Sequence, residues 1–164
     1  MRLLYLFLLV PFAAIASEHY ATSDGPQAAI QAYSRAAHLL PLGSTDEDTL
    51  RVWTRDYMVG QVQGYIITKT TMTSCRASSS YANGSITIGS VRCGPSSKPT
   101  ALGQDIYALP AFSRKEWTCP AFDGYEVFIE GVRQHKYFVV RVANPQACDD
   151  PASKAIVELL REVG

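Results

Sequence analysis

The chain predicts an α+β domain: an antiparallel β-sheet of about four to six strands over residues 61–143, with N-terminal helices and a C-terminal amphipathic helix packed on one face, and two disulfides. Three observations lead there. Two alternating apolar segments, 125–132 and 137–143, flank a short polar turn; a capped amphipathic helix follows from Asp150; and four cysteines lie behind an export-type leader in a chain of 164 residues.

The leader comes first. Met1 and Arg2 precede an apolar run over 3–15 that closes on Ala14, Ile15, Ala16. One positive charge, a short apolar core and small residues before Ser17 predict a signal peptide over 1–16 that is cleaved. The run is shorter than the roughly 20 apolar residues a spanning helix requires, and the first cysteine is Cys75, so no lipid-attachment cysteine follows the cleavage point. The expected product is one exported domain over 17–164, periplasmic or secreted, with no membrane span. Fifteen basic residues balance fifteen acidic ones, a neutrality that argues against a nucleic-acid surface or a polybasic membrane tether.

Asp24, Gly25 and Pro26 predict a helix start, with Ile30, Tyr33, Ala37 and Leu40 on one face. The break falls at 41–43. Ser44 with Glu47 has capping-box spacing, and Leu50, Trp53 and Tyr57 continue it as a second helix; Val52, Trp53 and Tyr57 suit a strand equally well. From Gln61 the β-branched content rises, so strands are expected to about 75 and on through 81. A turn at Asn83-Gly84, the strongest short hairpin signal, leads into a strand over 86–93. Pairing Cys75 with Cys93 brackets this hairpin. A two-residue turn sets Cys75 opposite Arg92, however, so the bridge requires a longer loop or a bulge. Leu102, Ile106 and Leu109 fit a brief helix stopped by Pro110.

The last hairpin can be tested by register. A turn on Gln134 and His135 sets Arg133 against Lys136, Ile129 against Val140 and Val127 against Val142, which gathers the apolar rows on one face. Phe128 then lies between Glu126 and Glu130 on the other face, with Arg141 diagonal to both glutamates across the pair. Asp150 reads as an N-cap and Pro151 as the first helical residue. Ala152, Ile156, Leu159, Leu160 and Val163 form the stripe. A Cys119–Cys148 bond would tie the start of this hairpin to the start of the helix.

Chemistry-bearing residues are sparse. His19 falls in a polar leader, His38 near the end of the first helix and His135 at a hairpin tip, and none sits in a catalytic motif. Glu126, Glu130 and Asp123, with His135, are the candidate acid–base groups; Glu126 and Glu130 are expected to serve as surface ion-pair partners of Arg141. Asp149 and Asp150 join Asp123 as an acidic group without calcium-loop spacing. The cysteine spacings match no zinc pattern, so neither metal nor cofactor is expected. Asn83-Gly84-Ser85 is also a glycosylation sequon. Two functions follow as expectations: a non-catalytic, inhibitor- or immunity-like module that binds a protein or envelope component, or a small secreted hydrolase using the carboxylate and histidine candidates. Binding would expose an aromatic patch drawn from Phe128, Tyr137, Tyr81 and Trp117, with Arg141 beside it. Oligomeric state is left open.

Overall fold

The computed structural model describes residues 17–43, 48–96, 115–121, 123–133 and 135–164. In chain order these form β1 (Glu18–Ala21), α1 (Gly25–Ala36), β2 (Thr49–Asp56), β3 (Gln61–Thr68), β4 (Met72–Ala82), β5 (Ser85–Ile88), β6 (Arg92–Pro95), β7 (Glu116–Thr118), β8 (Tyr125–Arg133), β9 (Lys136–Ala143) and α2 (Pro151–Val163). All nine strands join one sheet in the order β1-β5-β4-β3-β2-β8-β9-β7, with β6 paired to the other half of β4. The sheet curls into a half-barrel, bringing the Tyr20 ring of edge strand β1 within 6.4 Å of Phe128 on β8.

The expected fold class is therefore corrected. The protein is mostly β, with nine strands where four to six were expected, and its sheet is mixed because β7 runs parallel to β9. Among the described residues the first third holds one α-helix, not two, and the two helices cover opposite faces. Ile30 and Tyr33 of α1 pack with Trp53, Val62 and Phe128 inside the curl. Ile156, Leu159 and Val163 of α2 pack with Val52, Val127 and Ile129 on the outside.

The second helix was misread because β2 is covered on both sides. Leu50 and Val52 point to one core, while Arg51, Trp53 and Arg55 point to the other. Alternation between two buried faces leaves no polar–apolar period to read, and the chance spacing of Leu50, Trp53 and Tyr57 imitates a helix. Ser44 and Glu47 lie outside the described residues, as do 1–16 and the segment expected to be helical around Ile106. The polar leader is also corrected: it forms β1, whose His19 faces Thr87 and whose Tyr20 is buried.

Trp53 is the centre of the inner core. Directly opposite it on β3 stands Gly64, and the indole lies over that glycine while stacking on Tyr33 at 5.4 Å between ring centroids. A Cβ at Gly64 would fall inside the van der Waals envelope of the Trp53 ring carbons. Gly64→Ala is therefore expected to cost about 3 kcal/mol through overpacking, read as a lower denaturation midpoint at unchanged m-value; an unchanged midpoint would show that the indole can shift aside.

The β4–β5 turn falls at Asn83-Gly84 with φ of 51° and 77°, and Ala82 faces Ser85 across it. That register carries Ser79 to Ile88, whereas Cys75 faces Cys93 and Arg76 faces Arg92. The one-residue difference is the bulge the disulfide requires: Ser90 and Val91 share the position opposite Ala77. The Cys75–Cys93 and Cys119–Cys148 bonds both form, with Cα separations of 4.1 and 5.4 Å.

The β8–β9 register is the expected one, with Ile129 against Val140, Val127 against Val142 and Arg133 against Lys136. His135 takes a positive φ of 63° in the turn. Asp150 caps α2 by accepting from the backbone N–H groups of Ala152 and Ser153, both at 3.1 Å. Neither helix is long and apolar enough to cross a membrane.

Candidate functional site

The inner face of β2, β8 and β9 carries five charged side chains. Cross-strand register places Arg51 opposite Glu130 and Arg55 opposite Glu126, while Arg141 stands opposite Phe128. Glu126 and Glu130 are only 2% and 3% exposed, which corrects the expectation of surface ion pairs. Each carboxylate has its own cations. Glu126 is clamped between Arg55, whose Nε donates at 3.0 Å, and Arg141, whose Nε donates at 3.0 Å to the other oxygen. Arg141 also pairs with Glu116 on β7. Glu130 accepts from Arg51 at 3.1 Å, from Ser34 of α1 at 3.0 Å and from the Tyr137 hydroxyl at 3.2 Å.

Burial alone would push the Glu126 carboxyl up, but the Arg55 charge and the hydrogen bonds from Arg141 and Arg55 outweigh it and hold the group below its ordinary value. Burial, followed by the charge of Glu126 and a hydrogen bond to it, raises the Tyr57 hydroxyl. In the same way burial and then Glu130 raise that of Tyr137.

These placements separate the candidate acid–base residues. Glu126 and Glu130 are four residues apart on one strand, about 13 Å along it, with the buried Phe128 between them. Asp123 precedes β8 and His135 follows it, at opposite ends of a nine-residue strand roughly 27 Å long. His19 is exposed on β1, and His38, at φ of 55°, occupies the left-handed position that terminates α1. Asp150 serves as the α2 cap, and Asp149 pairs with Lys154 at 3.4 Å. The structure brings no two of Glu126, Glu130, Asp123 and His135 together as an accessible pair.

The candidate binding aromatics are also divided. Phe128 is core, Trp117 is half-buried and donates from Nε1 to Ser153 at 2.9 Å, and Arg141 is held in its ion pairs. Tyr137 and Tyr81 are exposed. Tyr81 stands beside a feature the sequence reading missed, the β2–β3 turn. Met58 and Val59 are 74% and 64% exposed there, with Tyr81 at 65%, and together with Tyr57 they line a cleft of about 260 Å³ whose lining also includes Arg55 and Asp56.

The turn is fixed on three sides. Asp56 Oδ1 accepts from the N–H groups of Met58 (2.8 Å) and Val59 (3.0 Å). The Tyr57 N–H donates to the Gly124 carbonyl at 3.1 Å, and the Ser79 N–H donates to the Gly60 carbonyl at 2.6 Å. Gly60 has φ of 63°, and a Cβ there would strike the Ser79 carbonyl. Arg55 lies 4.9 Å from the Tyr57 ring centroid and so joins the turn to the buried ion pairs. The available signal was Asp56 and Gly60 bracketing Tyr57, Met58 and Val59 between strands, a place where turns ordinarily carry polar residues. No protein-family model matches the chain, and a search of curated proteins finds no match.

Proposed function

We propose that this protein is an exported, non-catalytic binding module that engages a partner protein through the β2–β3 turn and Tyr81. The observation that carries the reading is the clamped turn: hydrogen bonds to Asp56, Gly124 and Ser79 hold Met58 and Val59 outward beside an exposed tyrosine. Large apolar side chains held in water are unfavourable for an isolated domain. Presented on a rigid turn, they bind with little ordering entropy left to lose. The cleft has room for an inserted apolar side chain of the partner, and Arg55 and Asp56 are the charged residues of its lining. Two disulfides suit an oxidising compartment and are compatible with an extracellular location.

The hydrolase alternative loses support from the same geometry. Glu126 is buried between Arg55 and Arg141 and Glu130 is buried against Arg51, Ser34 and Tyr137, and a carboxylate whose oxygens are already engaged is poorly placed to take up or release a substrate proton.

The test is affinity capture from envelope and secreted fractions with 17–164, run beside a Met58→Ser/Val59→Ser variant and a Tyr137→Ser control. A near-stoichiometric protein held by the parent and the control but lost by the turn variant is the expected result. Equal capture by all three would move the contact surface elsewhere, and capture of nothing by any of them would remove the reading.

A further inference from the structure

The fold covers its two disulfides differently. Cys119 is fully buried in the outer core with its sulfur 3.8 Å from the Ser153 hydroxyl of α2, and Cys148 is half-buried against the same cluster. Cys75 is buried too, in the inner core, but its partner Cys93 is exposed. Cys93 belongs to β6, which pairs with β4 and has none of its four residues buried. Next to the bond Arg76 faces Arg92, and like charges so placed weaken a strand pair. One sulfur of this bond therefore sits on a strand with little burial to hold it, and the other in a packed core.

We propose that Cys75–Cys93 is a thiol-exchange site: a low-molecular-weight thiol opens it at Cys93 while the domain remains folded and Cys119–Cys148 remains closed. The incoming thiolate attacks Cys93 Sγ, because access decides which sulfur is attacked. A new S–S bond forms there as the Cys75–Cys93 bond breaks, and the electron pair leaves on Cys75 Sγ. Burial in apolar surroundings raises a thiol's pKa, so Cys75 takes up a proton. A second small thiolate then attacks the small-thiol sulfur of the adduct and releases Cys93, so that two small thiols are oxidised to their disulfide for each protein bond reduced. The product is well accommodated, since a buried free cysteine behaves as a small apolar side chain and Cys75 keeps its place in the cluster with Val62 and Trp53. The ladder from Gln61 to Ile67 still joins β4 to β3. Loops of 18 and 29 residues differ little in closure entropy, so access, and hence rate, separates the two disulfides. The site does not depend on the β2–β3 turn reading.

The experiment is a time course of oxidised 17–164 with reduced glutathione, in buffer and in denaturing urea. Acid quenching, alkylation and peptide mass spectrometry locate each adduct and each free thiol, and circular dichroism follows the fold. In buffer Cys75–Cys93 is expected to open at least about tenfold faster than Cys119–Cys148, with the first glutathione on Cys93 and the circular dichroism unchanged. In urea the two bonds are expected to open at similar rates. Four outcomes would overturn the proposal: equal rates in buffer, or a faster Cys119–Cys148; a first adduct on Cys75; opening that proceeds only in step with loss of the folded signal; or a rate difference that persists in urea and so owes nothing to the fold.

Discussion

Glu126→Gln is expected to destabilise the protein by about 3–5 kcal/mol, because it leaves the buried Arg55 guanidinium without its counter-charge. Arg55 and Glu126 have side chains only 7% and 2% exposed, and they pair directly across β2 and β8. Glutamine keeps the shape and one acceptor oxygen but removes the charge. Arg141→Met should cost less, since the Arg141 side chain is 24% exposed and Arg55 would still neutralise Glu126. Urea denaturation of the two variants ranks them, and an Arg141→Met loss equal to that of Glu126→Gln would show that the three groups act as one unit.

The same group predicts an acid limb. The folded-state pKa of Glu126 lies below its ordinary value of 4.5, so the ionised carboxylate stabilises the fold. That contribution is fully present above pH 4.5 and is lost as pH falls through the lowered folded value, because the unfolded chain takes up the proton first. Glu126→Gln should flatten the fall in stability over this interval. An acid limb identical in parent and variant would place the responsible carboxylates elsewhere.

Removing the Cys119–Cys148 bond by replacing both residues with alanine is expected to cost about 3–4 kcal/mol, the chain-entropy value for a loop of 29 residues. This bond joins the end of β7 to the residues just ahead of α2, and Cys119 is fully buried in the outer core. The loss should appear as a lower midpoint with a larger m-value, since the unbridged unfolded chain expands. The Cys75–Cys93 bond closes only 18 residues and joins strands already paired by register, so its removal should cost about 3 kcal/mol. A larger loss at Cys75–Cys93 would mean that the bulged end of β4 is held by its disulfide rather than by strand pairing.

How legible the fold was in the sequence depended on how many faces of each element are covered. The β8–β9 register was readable because Val127, Ile129, Val140 and Val142 all point to the α2 core while the residues between them differ in kind. The α2 cap was readable because Asp150 and Pro151 act locally. At β2 the local rule failed, since Arg51 and Arg55 are buried alongside Leu50 and Val52; only partners on β8, more than seventy residues away, make that burial tolerable. The same distance hid the fate of Glu126 and Glu130, which read as surface groups until Arg51 and Arg55 were placed opposite them. The bulge was deducible from cysteine spacing, because a two-residue turn and a Cys75–Cys93 bond cannot share one uninterrupted register. At the candidate site, Tyr81 was visible as an aromatic near a turn. Met58 and Val59 were not, because their exposure follows from Asp56 and Ser79 gripping the backbone and from nothing in their own spacing.

In the function proposed above, the clamped apolar turn, and not the carboxylates, is the surface the partner meets. The most direct measurement is the dissociation constant of the captured partner for parent, Met58→Ser/Val59→Ser and Glu116→Gln proteins, each checked for folding. The turn variant is expected to lose affinity about 100-fold, in the range of hot-spot truncations, and Glu116→Gln to keep parental affinity. Parental affinity for the turn variant would contradict the proposed function.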